Sequence, residues 1–180
     1  MTMSMLTVWF YDPASEAVTG ANFVNKVVAG LYPPFCHTEL QFPSGEACSI
    51  VMNGTVRLRT RTYDTDFYSC LVLRAPAHAV DAALQLARGH VQRGTAFGVS
   101  SGRTFCSRLV AELLLESGIV SRQSLPDPHL ISPSTLYFSL KQLTGVVEHP
   151  PIAPPVSARA APISFATELP AAHQLTFVRR

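Results

Sequence analysis

Segments with strand character and segments with helix character are largely segregated along this chain, and this order constrains the fold most. Apolar, β-prone stretches bounded by turn residues predict strands at residues 6–11, 35–42, 46–52, 55–63 and 67–73. The Asn53-Gly54 pair between two of these stretches is the strongest short hairpin signal in the sequence. Helical segments then follow. The order therefore predicts an α+β fold in which an antiparallel sheet packs against helices.

The helices are predicted from apolar residues that repeat every three to four positions. We place them at residues 22–29, 77–92, 107–117 and 135–143. The composition changes after Gly145, because residues 148–170 are rich in Pro and Ala and lack an amphipathic period. We therefore expect a domain at residues 1–145 and a Pro- and Ala-rich tail at 146–180. The tail is expected to be mobile or loosely docked, with a weak edge-strand signal at 175–178.

The overall composition is that of a globular domain, with 47% hydrophobic and 14% charged residues in a chain of 180. Its apolar runs are much shorter than the roughly 20 residues that a membrane span needs. Residues 1–5 do not provide the basic and then apolar regions of a secretory signal. The formal net charge of +2 is too small to indicate nucleic-acid binding. We expect an intracellular protein without a membrane span or a nucleic-acid partner.

The four cysteines are scattered and include no CxxC pair, a spacing that favours reduced thiols over a disulfide framework. A zinc site could be built from Cys36, His37, Cys48 and Cys70, but their spacing matches no common zinc site. We therefore predict no metal and no cofactor. The same three cysteines lie in or beside apolar strand-like stretches and are expected to be inert core residues.

Cys106 follows a Gly-containing approach at residues 99–105 and opens the helix predicted at 107–117. The unpaired N–H groups and the dipole of a helix start favour a thiolate at this position. A thiolate nucleophile needs a base or an imidazolium partner, and His is the usual one. His37 lies in the strand predicted at 35–42, so packing the helix start against the sheet would pair the two side chains. The sequence therefore predicts a nucleophilic Cys106 with His37 as its base.

A third polar group would orient the imidazole, and the sequence leaves more than one choice open. Glu39 leaves the same face of its strand as His37, because side chains two residues apart share a face. Ser49 lies on the next strand, and cross-strand neighbours approach within about 5 Å. Asn53 is a weaker choice beyond the end of that strand. Glu39 and Ser49 remain alternatives for the orienting role.

The segments around these residues resemble the circularly permuted NlpC/P60 (papain-like) cysteine hydrolases. The resemblance covers residues 6–143, and its most specific part is the run Phe-Cys-Ser-Arg-Leu-Val at residues 105–110. The run His-Thr-Glu-Leu-Gln-Phe at residues 37–42 precedes it, in the permuted order. Two departures concern substrate contacts. Family members commonly carry Glu where Arg108 stands, and residues 94–98 lack the polar end of the Gly-x-x-Tyr-Asp segment that often precedes the cysteine.

The resemblance implies a papain-like fold with Cys106 as nucleophile, His37 as base and Glu39 or Ser49 orienting the imidazole. The main-chain N–H of Cys106 and a neighbouring N–H would stabilise the oxyanion. The implied activity is cleavage of a peptide, isopeptide or other amide bond in a peptide or protein substrate, through an acyl-enzyme. The family also contains acyltransferases and lipid-modifying enzymes, which remain alternatives. A non-enzymatic protein-interaction module on the same fold is a further alternative.

Arg57, Arg59 and Arg61 alternate along one predicted strand and form a basic row on one of its faces. Such a row could contact phosphate, including that of a nucleic acid, or bind an acidic or ubiquitin-like protein partner. The interpretation that we favour is a solvated edge strand whose charges discourage aggregation. Aromatic residues do not interleave the arginines in the pattern of single-strand nucleic-acid binders.

Overall fold

The computed structural model describes residues 2–13, 33–143 and 145–149, and in these ranges it contains a six-stranded antiparallel sheet and three α-helices. The strands of the sheet are β1 (Met3–Tyr11), β2 (His37–Gln41), β3 (Glu46–Ser49), β4 (Arg57–Thr60), β5 (Tyr68–Pro76) and β8 (Val146–His149). Their order across the sheet is β4-β3-β2-β1-β5-β8. The predicted α+β class is confirmed, and the papain-like arrangement stays a prediction.

The helices follow the first five strands, as their periodicity predicts. They are α1 (Ala77–Gln92), α2 (Cys106–Glu116) and α3 (Pro133–Lys141). The ends of all three lie within two residues of their predicted positions. Between α1 and α2, the short strands β6 (Ala96–Phe97) and β7 (Arg103–Thr104) form a parallel pair.

The core lies between the helices and one face of the sheet. Leu6, Val8 and Phe10 of β1 are fully buried on this face, as the two-residue period of a strand requires. Helix α2 packs on β2 and β3, and its Leu109 and Leu113, four residues apart, are buried against them. Full burial of one such side chain stabilises the fold by about 1.5–3 kcal/mol. The same packing holds the start of α2 beside the sheet.

Aromatic side chains lie on the opposite face of the sheet. Trp9 stacks on Tyr63, with ring centroids 4.3 Å apart, and Tyr68 meets Tyr63 edge to face. Tyr63 belongs to the segment that follows β4, and this segment folds back over the sheet. Its position is fixed in part by Gln41 of β2, whose Nε2 donates to the carbonyl of Arg61 at 3.1 Å. Residues that follow an edge strand are thereby brought next to β2.

The two predicted hairpins are present, but the strands on either side of Asn53 are shorter than predicted. Strand β3 ends at Ser49 and β4 begins at Arg57, while Asn53 turns the chain with a φ of 62°. Residues 55–56 pair with residues 95–96 instead of extending β4. The competing hydrogen bonds with residues 95–97, at and just before β6, therefore end this hairpin early.

Residues 146–149, which the sequence places at the start of the tail, form β8 and pair with β5 at the edge of the sheet. The sheet therefore extends past the predicted domain boundary at residue 145. The helix predicted at 22–29 and the weak strand signal at 175–178 lie outside the described residues. In the part of the chain that the structure describes, none of the helices combines the length and the apolar character that a membrane crossing requires.

Candidate active site

Cys106 is the first residue of α2, and the chain reaches it through a tight turn. The connection between β6 and β7 bends at Gly102, whose φ of 74° lies in the left-handed region. Glycine adopts this conformation without a steric penalty. Phe105 precedes the helix in an extended conformation, and no side chain caps the helix start. The first N–H groups of α2 are therefore not occupied by a capping side chain.

Two main-chain N–H groups help to lower the pKa of the Cys106 thiol. One belongs to Ser107, the next residue of α2, and the other belongs to Thr38 in β2. The ladder between β2 and β3 begins only at Leu40, so β3 does not occupy the edge of β2 beside Thr38. Burial raises the pKa of the Cys106 thiol, but the hydrogen bond and charge of His37, together with the two N–H groups, lower it overall.

His37 is the first residue of β2, and its imidazole lies within hydrogen-bonding range of the Cys106 thiol. Burial lowers the pKa of His37, but hydrogen bonds and charges from Cys106 and Glu39 outweigh it and raise the pKa to about 10. The lowered pKa of the thiol and the raised pKa of the imidazole favour the same state, a thiolate beside an imidazolium. The His37 side chain is 15% exposed, so the pair is not sealed inside the protein.

Glu39 is a carboxylate with only 1% of its side chain exposed, and three groups hydrogen-bond it. Nε2 of His37 lies 3.1 Å from Oε1, and Nη1 of Arg61 donates to the same oxygen at 2.6 Å. The hydroxyl of Tyr63 donates to Oε2 at 2.7 Å. Burial raises the pKa of Glu39, but His37, Arg61 and Tyr63 lower it overall. Glu39 is therefore held as an anion in contact with the imidazole.

Cys106, His37, Glu39 and Arg61 form a row in which the sign of the charge alternates from one group to the next. A charge removed from water costs several kcal/mol unless an opposite charge and hydrogen bonds compensate it. Each member of this row contacts a neighbour of opposite sign, and the four charges sum to zero. Burial and the charge of Glu39 raise the pKa of Tyr63, so its hydroxyl stays protonated and donates.

Residues at and just before the start of α3 hydrogen-bond both α2, which carries Cys106, and the segment before β2, which carries His37. Ser107 of α2 donates to the carbonyl of Ile131, just before α3, at 2.7 Å. Ser134, in the first turn of α3, accepts from the N–H of Phe35 at 3.0 Å and donates to the carbonyl of Phe35 at 3.4 Å. Phe35 lies two residues before His37. The start of α3 therefore holds both the helix that carries the sulfur and the strand that carries the imidazole.

The structure brings three of the predicted site residues together: Cys106, His37 and Glu39. Ser49 lies at the end of β3, and within the described residues no hydrogen bond joins it to His37 or Glu39. Asn53 lies in the turn between β3 and β4. Of the alternatives for the orienting role, Glu39 is the residue in contact with the imidazole.

The sequence did not indicate that Arg61 and Tyr63 belong to the site. The predicted basic row holds for Arg57 and Arg59, which are exposed, whereas Arg61 turns inward and pairs with Glu39. A carboxylate in a strand of buried residues requires a cation or several donors. Because Glu39 lies in a strand of buried residues, this requirement could have predicted a nearby cation such as an arginine.

Cys48 is a buried thiol for comparison, because no imidazole contributes to its pKa. It is fully buried in the core, and burial together with the charge of Glu39 raises its pKa to about 12. This shift is opposite in direction to that of Cys106. Across the described ranges, no group of three or more His, Cys, Asp or Glu side chains is arranged to hold a metal ion.

No protein-family model, no curated protein and no solved structure matches this chain.

Proposed function

We propose that this protein is a cysteine hydrolase that cleaves a peptide, isopeptide or other amide bond, with Cys106 as nucleophile and His37 as general acid and base. The observation that carries the proposal is the pairing of Cys106 with His37, in which each group shifts the pKa of the other toward its charged form, while Glu39 contacts the imidazole at 3.1 Å. A thiol with a lowered pKa forms the nucleophilic thiolate at a lower pH than an ordinary cysteine does. Cys48, whose pKa is raised, lacks this property.

In the first half of the reaction, Sγ of Cys106 bonds to the carbonyl carbon, and the π electrons move to the carbonyl oxygen. The tetrahedral intermediate then collapses, the C–N bond breaks and the leaving nitrogen takes the proton of the His37 imidazolium. The products are a thioester on Cys106 and a free amine. Because His37 is now neutral, it can accept a proton from the water that attacks the thioester. Collapse of the second intermediate releases the acid and restores the thiolate and the imidazolium.

Glu39 supports both steps without taking the proton itself. Its lowered pKa keeps it ionised, so it stabilises the imidazolium and fixes the ring in one orientation. The oxyanion is assigned to the main-chain N–H of Cys106. As the first N–H of α2, this group has no acceptor within the helix, and the helix dipole favours negative charge there.

The sequence resemblance to the circularly permuted NlpC/P60 (papain-like) hydrolases supports the same assignment. His37 lies in a strand that precedes the helix opened by Cys106, and an antiparallel sheet packs against that helix. We extend the proposal to this fold class. An acyltransferase would form the same thioester and pass the acyl group to an acceptor other than water.

The test is acylation of Cys106 followed by turnover. The full-length protein is incubated with p-nitrophenyl acetate, and the modified residue is located by mass spectrometry of its peptides. We expect an acetyl group on Cys106 and repeated release of p-nitrophenol. Loss of the imidazole in His37→Ala is expected to slow acylation about a hundredfold or more.

The matched control is Cys48→Ala, which removes a buried thiol that lies outside the proposed mechanism and is expected to keep the rate. Cys106→Ser is expected to lose the acetyl adduct. Acetylation that spares Cys106, or that labels Cys48 equally in the folded protein, would overturn the proposal.

A further inference from the structure

We infer that Arg57 and Arg59 form an anion-recognition surface beside the catalytic pair, so that the preferred substrate is an acidic peptide. The inference rests on the proposed function and names its substrate class. The acidic group lies a few residues from the bond that is cleaved.

Strand register places both arginines on the sheet face that carries the site. Arg59 pairs with Ala47, and Ala47 pairs with Gln41 of β2. Residues paired directly across antiparallel strands share a face of the sheet. Arg57 lies two residues before Arg59, and His37 lies four residues before Gln41, so both belong to this face as well.

The spacing of the strands sets the distance between this surface and the site. Arg57 pairs with Ser49, at the end of β3. Neighbouring strands lie about 4.8 Å apart, so β4 lies about 10 Å from β2. Because His37 lies two residues along β2 from the level of Arg57 and four from that of Arg59, the backbone distances from His37 are about 12 Å and about 16 Å. About four residues of an extended peptide span the shorter distance. A carboxylate three or four residues from the scissile carbonyl can therefore reach the arginines while the carbonyl lies against the sulfur.

The charge of the two arginines is available to a ligand. Arg57 and Arg59 are exposed, and neither forms an ion pair within the part of the chain that the structure describes. The four charged groups of the site sum to zero, because the Cys106 thiolate and Glu39 balance His37 and Arg61. The arginines therefore add an uncompensated positive potential beside the site, which attracts anions.

The chemistry of the guanidinium group favours a carboxylate partner. Its planar fork of N–H donors matches the two oxygens of a carboxylate in bidentate geometry. Residues 57–60 offer no aromatic ring on which a nucleic-acid base could stack. An acidic peptide that binds beside β4 fits both the carboxylate preference of the guanidinium groups and the lack of an aromatic ring at residues 57–60.

Charged and neutral reagents for the same thiol test this inference without a known substrate. Rates of alkylation of Cys106 by iodoacetate and by iodoacetamide are compared in the wild type, in Arg57→Gln/Arg59→Gln and in Arg74→Gln. Arg74 is a matched control, because it is exposed on the same sheet face but pairs with Met5 at the opposite end of β1. The iodoacetamide rate also reports whether the double variant keeps its folded site.

Two unit charges at about 12 and 16 Å in a water-like medium change the local concentration of a monoanion about threefold. We therefore expect the ratio of the iodoacetate rate to the iodoacetamide rate to fall about threefold in the double variant at low salt. The ratio is expected to stay unchanged in Arg74→Gln. High salt is expected to remove the difference between the wild type and the double variant, because it screens exposed charges.

A pair of esters extends the test to acyl transfer. Mono-p-nitrophenyl suberate carries, at the far end of its acyl chain, a carboxylate that p-nitrophenyl octanoate lacks, and the double variant is expected to lose the preference for the suberate ester. Equal alkylation ratios in the wild type and the double variant, or an equal fall in Arg74→Gln, would overturn the inference. Failure of every protein to turn over either ester would count against the proposed function alone, because the alkylation ratio still measures the potential at Cys106.

Discussion

Nε2 of His37 lies 3.1 Å from Oε1 of Glu39, a carboxylate that is almost completely buried. This contact joins the proposed catalytic pair to an anion that Arg61 and Tyr63 hold in place. Because the charge of Glu39 helps to raise the pKa of His37, the reactivity of the thiol depends on the carboxylate that holds the imidazole. The contact therefore links the stability of a buried charge network to the proposed chemistry.

Glu39→Gln keeps the shape of the side chain and removes its charge. Without that charge the pKa of His37 falls, so the imidazolium is lost at a lower pH and the alkaline limit of activity moves down. We expect kcat/KM for p-nitrophenyl acetate to fall about tenfold to a hundredfold. Glu46→Gln is the matched control, because Glu46 is a more exposed carboxylate whose weak pairing with Arg88 lies outside the site. An unchanged pH profile in Glu39→Gln would show that the carboxylate does not act through the imidazole.

Arg61→Met removes the cation that pairs with Glu39 but keeps much of the apolar stem. Glu39 is then left buried with fewer partners, and we expect the free energy of unfolding to fall by about 2 kcal/mol in denaturant titrations. Tyr63→Phe removes one neutral donor and is expected to cost about 1 kcal/mol. Arg74→Met provides the control, since that exposed arginine forms no ion pair in the described ranges. Equal stability of Arg61→Met and Arg74→Met would contradict the proposed importance of the pair.

Ser134→Ala removes the hydrogen bonds between α3 and the segment that leads to His37. The N–H and carbonyl of Phe35 lose their contacts with the hydroxyl, which is expected to cost about 1–3 kcal/mol of stability. Looser placement of His37 is expected to lower kcat for the ester more than it changes KM. Ser121→Ala is the control, because the exposed Ser121 hydroxyl contacts only Ser124 among the described residues. A loss of stability with kcat intact would limit Ser134 to a purely structural role.

Thr38→Val is expected to stabilise the protein. The Thr38 hydroxyl is fully buried and has no hydrogen-bond partner among the described residues. Valine keeps the branched shape that suits a strand and removes the unsatisfied polar atom, a gain of about 1 kcal/mol in the free energy of unfolding. Denaturant titration measures the gain, with the exposed Thr60 converted to valine for comparison. A decrease in stability would mean that the hydroxyl has a partner in solution.

Periodicity in the sequence was enough to place the antiparallel sheet and the three helices of the described residues. The start of α2 is marked by the Gly-containing approach to Cys106, and the spacing of His37 and Glu39 puts them on one strand face. These are local properties, so they can be read from a few consecutive residues. The pairing of sulfur and imidazole follows once α2 packs on β2.

Other parts of the site depend on contacts between distant segments. Arg61 and Tyr63 continue the alternation of β4, and nothing local marks the point where the chain leaves the strand and folds over the sheet. Ser134 and Phe35 lie 99 residues apart, and no local pattern predicts their contact. Strand β8 was also not predicted, because it lies where the Pro- and Ala-rich composition begins and it forms by pairing with the distant strand β5.

The charge state of Cys106 at neutral pH tests the central claim most directly. The ultraviolet absorbance of the thiolate is followed with pH in the wild type and in Cys106→Ser, and the difference between the two isolates this thiol. The hydrogen bond and charge of His37 lower the pKa of Cys106, so we expect this thiol to ionise below the ordinary cysteine pKa of 9.0. In His37→Ala, the titration is expected to move upward. A Cys106 thiol that titrates at or above 9.0 in the folded wild type, with no response to His37→Ala, would contradict the account.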